Sequence, residues 1–321
     1  MEFLVSVIIP VYNAERFIIK AIQSAIEQPE VLEVVVVNDG STDGTLTLLN
    51  YFKESNPNAN VRIYHHNNKI NKGRSASRNL GITRAKGNYI AFLDADDYYL
   101  RNRFKNDKFI FKENIEVDGV YNAIGVHFYR ESNPLEEEKL RLTTVTEYIE
   151  PCELFDALFY YKKGHFSIDG LTVKRSIFEK IGYFNEALKV AEDTELFFRM
   201  ALKCKLVTGI IDKALAMRGV HYTNVFNRED LYKISQIKMY ESLFFWTGKN
   251  KIKRDYVDLI LKRIWLIKYK ENKGIIKAIQ YWIYLFLKNI KYLFSTLSIK
   301  YFPIVRLRQK LFPFLYNNNR I

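Results

Sequence analysis

The chain opens on a short apolar run, Leu4-Val-Ser-Val-Ile-Ile-Pro10, of the length of a strand. Asn13 then stands where a helix N-cap would. Phe17, Ile18, Ala21, Ile22, Ala25 and Ile26 recur at helical spacing to about Gln28. Glu33-Val-Val-Val-Val-Asn38 is a second strand, and its unbroken β-branched run suits a parallel strand covered on both faces. The pattern continues as a helix over Thr42–Lys53, a strand over Val61–His65, a helix over Ser75–Ala85 and a strand over Tyr89–Leu93. Alternation of this kind predicts an α/β fold, a doubly wound and mainly parallel sheet that binds ligands beyond the carboxyl ends of its strands. Further on, Asp118–Arg130 reads as extended and Ser132–Glu138 as a polar, solvated loop. Ile168–Val173 and Leu206–Ile211 read as strands around a helix at Thr194–Lys203, and after Leu231 the pattern is helical almost to the end.

With 321 residues, 48% of them hydrophobic, the chain can bury one large core and carry an appendage. Its charge divides the same way. Residues 1–229 hold 30 Lys/Arg against 31 Asp/Glu (net −1), whereas residues 230–321 hold 19 against 5 (net +14). The expected organisation is therefore a domain over 1–229 and a basic helical region over 230–321. The opening segment has no basic stretch and no small-residue cleavage site, so a secretory leader is not expected. Cys152 and Cys204 have no paired spacing and read as free thiols with a structural role in a reducing compartment.

Each strand of the first half ends in polar residues, which a parallel sheet gathers at one edge. Pro10-Val11-Tyr12-Asn13 follows the first, Asn38-Asp39-Gly40-Ser41-Thr42-Asp43-Gly44 the second and Asp94-Ala95-Asp96-Asp97 the last. A dinucleotide dehydrogenase would need G-x-G-x-x-G after the first strand, where Pro10-Val11-Tyr12 stands instead. Three carboxylates within four residues repel one another unless a cation joins them, and oxygen ligands point to Mg²⁺ or Mn²⁺ shared with diphosphate oxygens. The alternative is a turn cluster opening the next element.

Taken together, Val5–Asn13, Val37–Thr45, Asn71-Lys72-Gly73-Arg74-Ser75-Ala76-Ser77-Arg78-Asn79-Leu80-Gly81, Gly87–Asp97, Ile181–Glu186 and Ala191–Arg199 resemble, in order, the signatures of glycosyltransferase family 2 over roughly residues 4–222. The resemblance implies a GT-A fold, a Rossmann-like, mainly parallel sheet flanked by helices, with residues 1–100 as nucleotide-binding half and 101–229 as acceptor and catalytic half. It also implies inversion at the anomeric carbon. On the donor side it gives Asp39 the uracil imide, Pro10 and Tyr12 the flanks of the base with Asn13 beside them, Asp94 the ribose, and Lys72 or Arg74 the donor charge. The family usually has an apolar residue at position 74. Asp96 would ligate the metal, His221 would reach the diphosphate or metal, and Asp193 would be the catalytic base. Each has a plainer alternative: Asp39 as a turn residue, Asp193 as the N-cap of the following helix, His221 as structural. His165, beside Gly164, is at most an acceptor or sugar contact, and the other histidines carry no such context.

From Asp255 on, apolar residues at helical spacing mix with Lys and aromatics. The longest run, Tyr281–Leu287, is far short of the roughly 20 residues a spanning helix needs. Residues 255–321 thus read as a helix pair on an anionic membrane surface, or else as helices packed on the catalytic domain. No nucleic-acid motif is present and the acidic crevice would repel a phosphate backbone, so no nucleic-acid partner is expected. The expectation is a metal-dependent (Mn²⁺ or Mg²⁺), inverting, non-processive transferase. It would move a hexosyl or N-acetylhexosaminyl group from a nucleoside-diphosphate sugar, UDP favoured, to a saccharide or lipid-linked acceptor at the inner face of the plasma membrane. The rivals are a catalytically silent sugar-nucleotide or glycan-binding module and a nucleotidyl- or phosphotransferase.

Overall fold

The structure, a computed structural model, describes residues 2–224, 229–270 and 274–315. Its strands are β1 (Val5–Val11), β2 (Val31–Asn38), β3 (Val61–His65), β4 (Tyr89–Phe92), β5 (Tyr98–Tyr99), β6 (Gly119–Tyr121), β7 (Gly125–Phe128), β8 (Leu171–Lys174), β9 (Leu206–Thr208) and β10 (Ala216–Val220). Seven of them form the main sheet in the order β3-β2-β1-β4-β8-β6-β9, and β5-β10-β7 form a smaller one. β1 runs parallel to β2 and β4, and β2 to β3, whereas β8 is antiparallel to both of its neighbours. The result is an α/β fold with a central, mostly parallel sheet flanked by helices, the GT-A arrangement.

The eight helices that accompany these strands are α1 (Ile18–Ile26), α2 (Thr45–Ser55), α3 (Arg74–Arg84), α4 (Lys105–Glu113), α5 (Pro134–Leu140), α6 (Leu154–Tyr160), α7 (Ile177–Ile181) and α8 (Glu192–Lys203). β1 is apolar except for Ser6, which donates to Glu33, because both of its faces are covered. Ile18, Ala21, Ile22 and Ala25 of α1 share one core with Val5, Val7, Ile9 and Val11. On the other face α3 lies over Ile8, and Gly81 has no side chain to obstruct it.

Four local expectations change. Asn13 does not cap α1, whose N-cap position is Phe17 without a side-chain bond. Ser132–Glu138 is not a loop: Asn133 caps α5 by accepting from the Glu136 N–H at 3.0 Å, with Pro134 in the first turn. None of the residues of α5 is buried, so the helix lacks the apolar stripe that periodicity detects. Asp118–Arg130 is two short strands in different sheets, β6 and β7. Ile168–Val173 opens as a 3₁₀ turn at Ile168–Gly170 before β8 begins.

The chain divides into two compact units, Met1–Arg228 and Glu229–Ile321. The second consists of α9 (Glu229–Lys249), α10 (Arg254–Lys270), α11 (Ile275–Lys288), α12 (Ile290–Leu293), α13 (Thr296–Lys300) and α14 (Val305–Leu311). Phe244, Val257, Ile260, Ile264, Phe286 and Tyr292 are among its buried residues, with Phe244 and Phe286 edge to face at 5.9 Å. It is more than a helix pair. α10 turns Val257, Ile260, Leu261 and Ile264 into this core, and Lys300 pairs with Asp258 at 2.7 Å. No helix among the described residues is long and apolar enough to cross a membrane.

Candidate active site

β1 is the common parallel neighbour of β2 and β4, so the three carboxyl ends lie side by side. At the first, Pro10 is buried and Tyr12 is 50% exposed. Asn13, in the left-handed region at φ +51°, ties this end to the next. Its Oδ1 accepts from the Thr42 N–H at 2.8 Å, and its own N–H donates to Ser41 Oγ at 3.0 Å.

At the end of β2, Asp39 is buried, and the N–H groups of Lys72 and Gly73 donate to its two carboxylate oxygens at 2.7 and 2.8 Å. His66 Nε2 stands 3.4 Å from Asp39 Oδ1 and 3.0 Å from Ser77 Oγ. Gly40, at φ +75°, allows the segment before α3 to come this close, since a Cβ there would lie 2.7 Å from the Lys69 carbonyl. A carboxylate offers about four lone-pair sites, so Asp39 keeps acceptor capacity for a ligand. Lys72 reaches Asp39 through its main chain, and Lys72 also lines a cavity of about 420 Å³ together with His66, Asn79, Tyr183 and Glu186.

The end of β4 carries the charge. Arg78 is fully buried and donates to Asp94 at 2.6 Å and to Glu192 at 3.0 Å; Arg74 meets the same two acids at 3.7 and 2.9 Å. Burial pushes Asp94 towards the neutral form, but Arg78 and Arg74 outweigh it and hold its carboxyl below the usual range. Asp94 also donates its N–H to Asp169 Oδ1 at 3.0 Å. Oxygens of Asp94, Asp97 and Asp169 lie within 4.8 Å of one another. Burial, and then the neighbouring carboxylates, push Asp97 well up and Asp169 up as well, both towards the protonated form. The Gly219 N–H donates to Asp97 Oδ1 at 2.8 Å, and Ser167 donates to Asp169 at 2.9 Å.

Asp96 turns away from that cluster. Its Oδ2 lies 2.9 Å from His221 Nε2, and Asn224 donates to the same oxygen at 3.1 Å. The other ring nitrogen of His221 is 2.8 Å from Thr223 Oγ1, and Phe17 stacks on the ring at 5.0 Å. One carboxylate and one imidazole, with the far nitrogen fixed by a hydroxyl, form a donor set that suits a divalent cation such as Mn²⁺.

Asp193 lies in the first turn of α8 and is half-buried. The N-cap position is Ala191, at φ +62°, so Asp193 does not cap the helix; its carboxylate accepts from the adjacent Thr194 N–H at 2.7 Å. Burial and then Arg218 push the His165 imidazole below its usual value, with the Asp193 charge opposing them. Arg218 donates to Ser167 Oγ at 3.2 Å. Sequence reasoning did not single out Arg78, Asp169, Arg218 or His66. Arg78 was within reach, since Arg74 and Arg78 are four apart and share a helix face. Asp169 is placed by the 3₁₀ turn before β8 and Arg218 by β10, and nothing local marks them.

Comparison with known proteins fits this geometry. The model of "Glycosyl transferase family 2" matches residues 6–182. An uncharacterized glycosyltransferase of Rickettsia typhi, RT0329, is 29% identical over 258 residues, which are 76% of this chain and 71% of that protein. The minor teichoic acid biosynthesis protein GgaA of Bacillus subtilis is 30% identical over 209 residues, 62% of this chain. The chain spans only 44% of GgaA, and 15% of a still longer uncharacterized glycosyltransferase of Rickettsia bellii. In fold, TarS 1–349 of S. aureus, solved in complex with UDP-GlcNAc, matches with a TM-score of 0.63 at 18% identity, over 96% of this chain and 91% of that one. With its family model matched over more than half its length, this chain belongs to glycosyltransferase family 2.

Proposed function

We propose that the chain is an inverting glycosyltransferase that moves a sugar from a UDP-sugar to a hydroxyl of a saccharide or lipid-linked saccharide in cell-surface polysaccharide synthesis. The observation that carries this reading is the meeting of Asp96 and His221 at 2.9 Å across 125 residues, beside the arginine-bound Asp94. The likeness to GgaA and to the UDP-GlcNAc complex of TarS supports a UDP donor and a cell-wall acceptor. In this reading residues 1–100 hold the nucleotide and 101–229 the acceptor, and the protein works at the cytoplasmic face of the membrane.

Asp39 accepts the imide N–H of uracil, with Tyr12, Pro10 and Asn13 around the base. Asp94 holds the ribose, and Arg74 meets charge on the donor. Asp96 and His221 would hold Mn²⁺ or Mg²⁺, which when bound offsets the charge that develops on the departing diphosphate. Asp193 takes the proton of the acceptor hydroxyl as that oxygen bonds to the anomeric carbon. The bond from that carbon to the diphosphate oxygen breaks with its electron pair, and UDP leaves from the opposite face. A base positioned in this way contributes about 10²–10⁴-fold. Because Ala191 occupies the cap position of α8, and an asparagine amide oxygen can still accept from the Thr194 N–H, Asp193→Asn removes the charge while sparing the helix start.

The test is UDP release from a panel of UDP-sugars with Mn²⁺ or Mg²⁺, comparing the intact chain with Asp193→Asn. Slow hydrolysis of one donor, lost in the variant while UDP still binds, is the expected result. Equal turnover by the variant would remove Asp193 from the chemistry. Release of pyrophosphate instead of UDP would favour a nucleotidyltransferase, and UDP-sugar binding without turnover, even with lipid-linked acceptors, a silent binding module.

A further inference from the structure

The second unit leaves an apolar surface uncovered. On α11, Ile276, Ile283 and Leu287 follow one another at i, i+7 and i+11, and they are 70%, 42% and 56% exposed. The opposite positions, Leu285 and Phe286, are buried in the core of the unit. The exposed face continues past the break at Asn289 with Ile290 at 62% and Phe294 at 90%. Among the described residues from 275 to 314, ten large apolar side chains are exposed, and only that of Tyr284 has a polar tip. In the first unit most such side chains are tyrosines. Lys277, Lys288 and Lys291 are exposed along the same helices. From residue 275 to the end the sequence holds eight Lys/Arg and no Asp or Glu.

We propose that the α11–α12 face is a membrane-docking ridge, with Ile276, Ile283, Leu287, Ile290 and Phe294 set into the acyl boundary and the flanking lysines on the headgroups of an anionic bilayer. The inference rests on the membrane reading above and narrows it. α10, the other half of the expected helix pair, buries Val257, Ile260, Leu261 and Ile264 within the unit and exposes Leu266 alone among its described large apolar side chains, at 49%, so it contributes no continuous ridge. The charge argues for the occupant. A face with cations and no acids repels a second copy of itself, whereas it complements anionic lipid, and apolar insertion plus headgroup attraction is how a helix too short to span binds a bilayer.

The experiment is cosedimentation of the full chain with vesicles of phosphatidylglycerol and phosphatidylcholine in equal parts, and with phosphatidylcholine alone. The variants are Ile283→Ser/Leu287→Ser/Ile290→Ser and Lys277→Gln/Lys288→Gln/Lys291→Gln, with Leu135→Ser on the first unit as control. All substituted side chains are exposed, and unchanged thermal unfolding verifies that the variants fold. The intact chain should bind the anionic vesicles, each triple variant at least about tenfold more weakly, and the control as the intact chain does. If the serine variant binds like the intact chain, the ridge is wrong while the membrane reading stands. If the intact chain sediments with neither vesicle, the membrane reading falls with it. If it also self-associates in light scattering, and the serine variant does not, the occupant is a second copy.

Discussion

Arg78 shows most clearly how single residues set up this site. It lies fully buried between two acids, at 2.6 Å from Asp94 and 3.0 Å from Glu192, and burial alone would favour the neutral form of either acid. Removing one partner of such a buried group leaves uncompensated charge, at a cost of roughly 3–5 kcal/mol. Arg78→Met should therefore lower the thermal midpoint sharply and weaken UDP binding, whereas a solvent-exposed arginine treated alike should change little; a midpoint near that of the parent chain would deny the cluster its importance. The carboxylates after β4 stood out in the sequence because three fell within four residues. Their division of labour did not. Whether Asp97 holds a proton or faces a cation depends on Asp169 and Gly219, which β8 and β10 bring in from far along the chain.

At the scale of elements, the strands were legible where burial on both faces made them largely apolar runs, as in β1, β2 and β4. They were least legible where short strands changed sheets, as in β6 and β7. The α5 helix escaped for another reason: with no buried residue it has no period, and only its cap and first-turn proline betray it. The segment between β3 and α3 is positioned by Gly40. Any L side chain there meets both an unfavourable φ of +75° and the Lys69 carbonyl. Gly40→Ala should cost about 1–3 kcal/mol and loosen the segment that holds Asp39, which calorimetry would record as weaker UDP binding alongside the lower stability. Unchanged UDP affinity would mean that the grip on Asp39 does not depend on this close approach.

For the whole molecule, the charge of the chain was readable as a step from net −1 over residues 1–229 to net +14 over 230–321, but which face carries it was not. Exposure decides that, and exposure follows from which apolar positions the unit itself consumes. The two cysteines offer a probe of global unfolding. Cys204 is buried in the first unit and Cys152 is exposed. Burial, and then the nearby Asp118 charge, push the Cys204 thiol up to about 12. A raised value means the folded state keeps the thiol protonated. Its contribution to stability is complete below the ordinary thiol range, declines as pH rises above that range and is gone once pH passes about 12. Iodoacetamide at pH 8 should therefore label Cys152 quickly and Cys204 only when the unit unfolds, by mass spectrometry of the two peptides. Rapid labelling of both would mean that this part of the molecule opens far more readily than its packing implies.

Asp39 takes its two short hydrogen bonds from peptide N–H groups, those of Lys72 and Gly73. Peptide groups are the same whatever residue carries them, so a change of side chain at Lys72 is nearly invisible to the contact its N–H maintains. Proline is an exception, because it brings no N–H, and Gly73 is held by its φ of +91°. A lineage is thus free to rewrite the chemistry around the nucleotide, trading one side chain for another along the rim, without ever risking the acid at its centre.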